Sequence, residues 1–209
     1  MKVMDAWKGA LARIKQKGNS FVDDEKRVCF ECENMVLSIS DLSDVKAPLQ
    51  WIRSQADWFY PSDDELKNAI FSGQTQDSEL YAYGERIFHF RKQVNQIDEF
   101  IIPLLKEHPL SRRALVVLSD PLVDEASSRN VVSLISLWFR IVNDRLCVTA
   151  TLRSNDFLLG WPANIFQVRL IQEYVAKELG IPLGDITTIS LSAHFFDDEK
   201  WLFDRLLSS

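Results

Sequence analysis

Apolar residues recur along this chain in two rhythms, and the changes between them lay out its elements. Near the start, Trp7, Leu11 and Ile14 share one face of a 3.6-residue period, which predicts an amphipathic helix over about residues 4–17. The stretch "RVCFECENMVLSIS" alternates instead and predicts a strand over about 27–40. A Trp-rich segment with Trp51 and Trp58 follows. In it "PSDDEL" opens a short helix, with Ser62 as cap and acids in the first turn. From Glu85 onward, Ile87, Val94, Ile97, Ile101 and Leu104 fall at helical spacing, and the run closes at Pro109. "RRALVVLSDP" reads as a short buried strand ahead of a loop, "LVDEASSRN". Two β runs, "VVSLISLWFRIV" and "RLCVTATLR", are joined through Asn143-Asp144, a hairpin signal. A strong helix begins near Pro162, sets Ile165, Val168, Leu170, Ile171, Tyr174 and Val175 on an apolar face, and stops at Gly180. "GDITTISLSAHFF" is the last strand. The expected class is α+β, a mostly antiparallel sheet with helices packed on it, in a single domain over residues 1–209.

Composition narrows the function classes. The 209 residues are 46% hydrophobic and 26% charged, as in soluble globular proteins. No apolar run approaches the roughly 20 residues of a membrane helix. The first residues interleave apolar positions with Lys and Arg and read as a helix rather than a leader peptide, so the expected location is cytoplasmic. A net charge of −6 argues against binding along a nucleic acid, which needs a basic face, but is compatible with one phosphate held by placed arginines. The sparse cysteines, Cys29, Cys32 and Cys147, suit a reducing compartment. "CFEC" has the spacing of half a zinc site but lacks a second pair, and strand alternation puts its two thiols on opposite faces.

Three polar clusters interrupt the apolar scaffold. Arg112-Arg113 precedes one strand, Arg153-Ser154-Asn155-Asp156 ends another, and His194 lies near the end of the last. Strand ends leading into loops commonly hold binding groups. The arginine fork suits phosphate oxygens, a serine hydroxyl adds a donor, and the Asn164 amide offers donor and acceptor side by side, as a nucleobase edge requires. Each also has a structural reading. The arginines suit helix-end carbonyls, Asp156 and Asn164 suit caps, and His194 suits a satisfied position beside its aromatic neighbours. The two "DDEK" runs, at 23–26 and 197–200, read as solvated.

In their joint order these residues resemble the thymidylate synthase superfamily, which includes the pyrimidine nucleotide hydroxymethylases. "RSNDFLLGWPANIF" is similar to the family's R-S-x-D-x-x-L-G-x-P-aromatic-N run. "AYGERI", "HPLSRRALVVLSDP" and "LGIPLGDITTISLSAHFF" resemble further landmarks in the same order. The resemblance covers residues 82–196, while 1–80 match poorly. It implies a homodimer that binds a pyrimidine nucleoside monophosphate. Arg153 and Ser154 would hold the phosphate, and Arg112 and Arg113 would reach the phosphate of the partner's site. Asn164 would read the base, leaning toward a uracil type. His194 would face the ribose, and Asp156 a folate or the solvent network.

The family's chemistry needs a cysteine thiolate that attacks C6 of the pyrimidine, so that C5 can accept a folate-borne one-carbon unit. Aligned on Phe139 and Arg153, this chain has Ser133 at that position. A serine hydroxyl needs a neighbouring base to become nucleophilic. Cys147 lies close by, where family members often carry a non-catalytic cysteine. The final-strand tyrosine is Phe196, the phosphate-loop arginine is not recognisable in "CFECENMVLSIS", and "APLQWI" lacks the proton-organising glutamate. The expectation is a nucleotide-binding protein without thiol-dependent C5 chemistry. The alternatives are a methyl or hydroxymethyl transferase of altered chemistry using a folate donor, and a non-catalytic partner subunit of an intact paralogue.

Overall fold

In a computed structural model, which describes residues 1–55, 60–72, 83–124 and 131–208, the first helix, α1 (Val3–Lys17), buries Val3, Ala6, Trp7, Ala10, Leu11 and Ile14 along one stripe. This is the face its sequence spacing predicts. The chain continues through β1 (Asn19–Val22), β2 (Val28–Ile39), α2 (Ala47–Gln55), α3 (Asp63–Phe71) and α4 (Tyr83–Phe88). A π-helical turn (Gln96–Ile101) leads into α5 (Ile102–Glu107), followed by β3 (Leu115–Val117) and α6 (Pro121–Asp124). The hairpin strands β4 (Leu134–Val142) and β5 (Arg145–Asp156), α7 (Gly160–Leu179) and β6 (Leu183–Phe196) come next. A 3₁₀ turn (Asp197–Glu199) and α8 (Lys200–Ser208) close the chain. Trp58, Ala82 at the head of "AYGERI" and the end of the "LVDEASSRN" loop lie outside the described residues.

The α+β class holds. Six strands form one sheet in the order β1-β2-β6-β5-β4-β3. The pairs β1/β2 and β3/β4 are antiparallel, with Asn19 opposite Glu31 and Leu115 opposite Trp138. Asn143 and Asp144 both adopt positive φ, 48° and 58°, as a two-residue turn between twisted antiparallel strands requires. The sheet is mixed, because α7 returns the chain so that β6 runs alongside β5. Leu146 N–H bonds Pro182 at one end, and Phe157 N–H bonds His194 at the other.

The described chain divides into two compact units. One comprises Met1–Tyr60, Leu152–Phe166 and Thr188–Ser209. Its core includes Trp7, whose indole N–H bonds the Phe157 carbonyl at 2.6 Å, and Trp161, fully buried and stacked on Phe157 at 5.7 Å. Trp51 packs edge-on against Trp7. The tryptophans at 51 and 161 are therefore packing residues.

The other unit comprises Pro61–Thr151 and Gln167–Thr187. Ser62 caps α3 through a full capping box with Glu65. Helices α3 and α4 approach so closely that a Cβ at Gly84 would lie 1.9 Å from the Ile70 carbonyl oxygen, so only glycine fits there. The single helix expected from Glu85 to Pro109 is broken. Arg91 and Lys92 take positive φ, 52° and 57°, and Phe90 pairs with Val94 across a tight loop. Two polar attachments outweigh the helical spacing. Arg91 binds the buried Asp120 with both Nε and Nη2, at 2.8 and 2.6 Å. The Gln96 amide pairs with both backbone groups of Val117 on the edge of β3. That strand buries only Val116, so it is an edge strand rather than a buried one.

Candidate functional site

The polar cluster lies where the alternation of β5 breaks, burial passing from Leu146, Val148, Ala150 and Leu152 to Asn155. Asn155 points inward and is almost fully buried, while Arg153 is exposed and Ser154 and Asp156 are half-buried. A buried amide must be bonded. Asn155 Nδ2 donates to Ser190 Oγ on β6 at 2.9 Å, and its Oδ1 accepts from Asn164 Nδ2 at 3.1 Å. Asn155 thus fixes the side chain of Asn164, the fifth residue of α7. Asp156 Oδ1 accepts the amides of Leu158 and Leu159 at 2.8 and 3.1 Å, closing the turn that starts α7. The capping role weighed for Asp156 is therefore present.

His194 belongs to the same unit and the same electrostatic neighbourhood. Ser192 Oγ donates its hydrogen to Glu31 and lies 3.2 Å from His194 Nδ1. With that hydrogen committed, the hydroxyl oxygen is left to accept from Nδ1–H, so the neutral imidazole presents Nε2 as an acceptor. Burial holds the His194 pKa below its usual value, against the pull of Asp156 and Glu31. Burial likewise raises the Asp156 carboxyl, opposed by the Leu159 amide and by His194. Some of its surface stays open, but the surrounding protein dominates its ionisation. The ring of Phe196 meets His194 edge-on at 5.1 Å, and the Arg27 guanidinium lies 3.6 Å above the Phe196 ring. Tyr60 donates its hydroxyl to the Leu159 carbonyl at 2.6 Å, and burial raises its pKa.

Sequence reasoning missed Glu31, Ser192, Arg27 and Glu199. Glu199 corrects the reading of the second "DDEK" run as solvated. Asp197 and Asp198 face water, but Glu199 turns inward and its Oε2 is buried without a partner. The only available signal was position, three residues after the His194-Phe195-Phe196 strand end.

The other unit holds the remaining expected residues. Arg112 and Arg113 are both exposed on the turn before β3. The turn is fixed by the Trp138 indole, which donates to the Arg112 carbonyl at 3.0 Å, and by Ser111, which accepts the Arg113 amide at 3.2 Å. Ser133 sits half-buried on a bend immediately before β4.

The three thiols have structural settings. Cys147 Sγ packs against β6, 2.6 Å from where a Cβ of Gly184 would lie. Cys29 is buried, and burial together with Glu31 pushes its pKa up to about 11, so it is a neutral thiol near pH 7. Cys32 Sγ lies 3.9 Å from the Arg13 carbonyl. Among the described residues no group of three or more His, Cys, Asp or Glu is placed to share a metal ion, and no helix is long and apolar enough to cross a membrane.

Comparison with known proteins agrees with this layout. Residues 46–208 match the family model described as thymidylate synthase. A protein of Methanosarcina barkeri named "Putative thymidylate synthase" is 32% identical over 206 residues, covering 98% of this chain and 91% of that protein. A protein of the same printed name from Methanothermobacter thermautotrophicus is 30% identical over 212 residues. A Delftia phage PhiW-14 protein named "Deoxyuridylate hydroxymethyltransferase" is 30% identical over 127 residues, 55% of this chain and 34% of the phage protein. With its α+β fold, its polar cluster on the β5–α7 junction and a family match over most of its length, this chain belongs to the thymidylate synthase family.

Proposed function

We propose that the chain binds a pyrimidine nucleoside monophosphate as a homodimer and does not perform the family's thiol-dependent chemistry at C5. The observation that supports the reading most is the bonded series Ser190–Asn155–Asn164, which fixes the Asn164 amide in the same unit as the exposed Arg153 and the oriented His194. Arg153 and Ser154 take the phosphate, joined by Arg112 and Arg113 of the partner subunit. Asn164 meets the base edge, and His194 Nε2 accepts a sugar hydroxyl. The residues at 153, 154, 156, 164 and 194 act as binding groups, with Asp156 shaping the turn beneath them.

The absence of C5 chemistry rests on Ser133 at the nucleophile position and on the settings of the three thiols. A hydroxyl without an activating base is a weak nucleophile. Calorimetry with dUMP, UMP, dCMP and CMP, paired with release of tritium from C5-labelled nucleotide, tests both halves. The expected result is saturable binding, strongest for a uracil nucleotide, with no tritium released with or without a reduced folate. No binding at millimolar ligand defeats the first half, and turnover-dependent tritium release defeats the second.

A second reading is favoured by one comparison. The phage relative is named for hydroxymethyl transfer to deoxyuridylate, and Asn164 suits a uracil-type base. On that reading the chain transfers a methyl or hydroxymethyl group from a folate donor, with Ser133 or another group acting at C6. Tritium release is the result that separates the two.

A further inference from the structure

His194 is half-buried, and what it can bind depends on which ring nitrogen carries the proton. Neutral imidazole has one N–H donor and one bare acceptor nitrogen, and a neighbouring group selects between the two forms. Here the neighbour is Ser192, two residues earlier on the same face of β6, with its Oγ 3.2 Å from Nδ1. The Phe196 ring, edge-on at 5.1 Å, has no polar atom to offer.

A serine hydroxyl can meet such a nitrogen in two ways. Its hydrogen can point at Nδ1 and leave the proton on Nε2, or its oxygen can accept from Nδ1–H and leave Nε2 bare. Ser192 alone does not choose between them. Glu31 does, from β2, the sheet neighbour of β6. Its Oε1 accepts the Ser192 hydrogen. A carboxylate has no hydrogen to return, so that bond runs in one direction. The Ser192 backbone also bonds the ring in the sense that favours a ring proton. The other charges acting on the ring, Asp156 and Arg27, push in opposite directions, and Asp156 Oδ1 is committed to the Leu158 and Leu159 amides.

We propose that Glu31 is a positioning and specificity-determining residue. Through Ser192 it holds His194 as an acceptor at Nε2, so the site takes a nucleotide whose sugar offers a hydroxyl hydrogen and rejects one that offers only an acceptor atom there. The tautomer stands on the geometry of Glu31, Ser192 and His194, whereas the ligand preference rests on the nucleotide-binding reading. The sugar of dUMP has a single free hydroxyl, the 3′, which can give its hydrogen to Nε2. A 3′-fluorine has no hydrogen to give and sets one acceptor against another.

Nitrogen-15 NMR of the free protein at about pH 8, above the ordinary histidine range, tests the tautomer. The chain has three histidines, and the His194 signals are those lost in His194→Gln. The native ring is expected to show a protonated Nδ1 and a bare Nε2. Glu31→Leu removes the acceptor, so the Ser192 hydrogen turns to Nδ1 and the ring proton moves to Nε2. Glu31→Gln keeps a carbonyl acceptor and should retain the native pattern. In a Ser192→Ala background, Glu31→Leu should change nothing further. A native pattern unaltered by Glu31→Leu, or a change that persists without the Ser192 hydroxyl, overturns the proposal. Thermal melts check folding, and Glu31→Ala replaces the leucine variant if that one does not fold.

Calorimetry at the same pH with dUMP and its 3′-deoxy-3′-fluoro analogue reads the ligand half. The native protein should prefer the hydroxyl by about tenfold, the worth of one hydrogen bond. In Glu31→Leu the preference should fall below about threefold, because either substituent can then face an Nε2–H. Glu31→Gln should keep the native preference. An equal preference in Glu31→Leu and the native protein overturns the specificity role. If the native protein binds neither nucleotide, the nucleotide reading fails and the ligand preference with it, while the nitrogen-15 pattern still decides whether Glu31 sets the ring.

Discussion

Replacing Arg153 with alanine should weaken dUMP binding by about two orders of magnitude. The side chain is exposed at the end of β5, so its loss leaves no cavity in the core. On the proposed reading it makes a two-pronged contact with phosphate, and charge-assisted hydrogen bonds contribute about 1.5–3 kcal/mol each. Losing roughly 3 kcal/mol corresponds to an affinity drop of about 150-fold. Calorimetry at fixed ionic strength gives the number, because the phosphate interaction is screened by salt. Arg153→Lys should recover part of the affinity, since a point charge replaces the planar fork. The melting temperature of Arg153→Ala should stay within about 2 °C of the native value, in keeping with a surface position. A change in affinity below threefold would remove Arg153 from the phosphate site.

Trp161→Ala should have the largest effect on stability. The residue lies inside the motif that most resembles the family, where a pocket role and a packing role compete. Its side chain is fully buried, stacked on Phe157, and donates its indole N–H to Thr188 Oγ1 at 3.1 Å. Truncating a buried tryptophan costs about 3–5 kcal/mol, and here it also strips Thr188 of its partner. For a chain of this size that loss lowers the melting temperature by roughly 10 °C. Trp161→Phe should recover most of the packing and fall between the two. Thermal denaturation followed by circular dichroism at two scan rates checks the result. A shift of less than 2 °C would show that the site tolerates the loss and that the indole is not a core residue.

These two positions show what kind of information the sequence holds. Local rhythm is legible. The α1 stripe, the Ser62 cap, the Asn143-Asp144 turn and the α7 face were all readable because each depends on residues a few positions apart. The polar run at 153–156 was readable as a strand-to-helix junction because it interrupts apolar stretches. The long helix from Glu85 misled because helical spacing survives in a segment that tertiary bonds pull apart. Asp120 lies 29 residues from Arg91, and Val117 lies 21 from Gln96. Glu199 was illegible for a related reason. An acid in a run of acids reads as solvated, and only the meeting of β5, β6 and the turn before β2 makes it a buried group. The serine that orients His194 is two residues away, but Glu31, which commits that serine's hydrogen, is 161 residues away.

Most of the family-level reading therefore came from order and spacing, whereas the groups that tune the site came from distant contacts. The proposed replacement of the nucleophile by Ser133 sits between the two. It is read from sequence alignment, and its meaning depends on what faces C6 of a bound pyrimidine.

A crystal structure of the protein soaked with dUMP addresses that point most directly. The account predicts nucleotide in the β5–α7 site, with Arg153 and Arg112 and Arg113 of the partner subunit on the phosphate. It predicts the Asn164 amide on the base edge and no bond from any side chain to C6. Density for a covalent link from any side chain to C6, or a nucleotide bound with its phosphate away from Arg153, would contradict it.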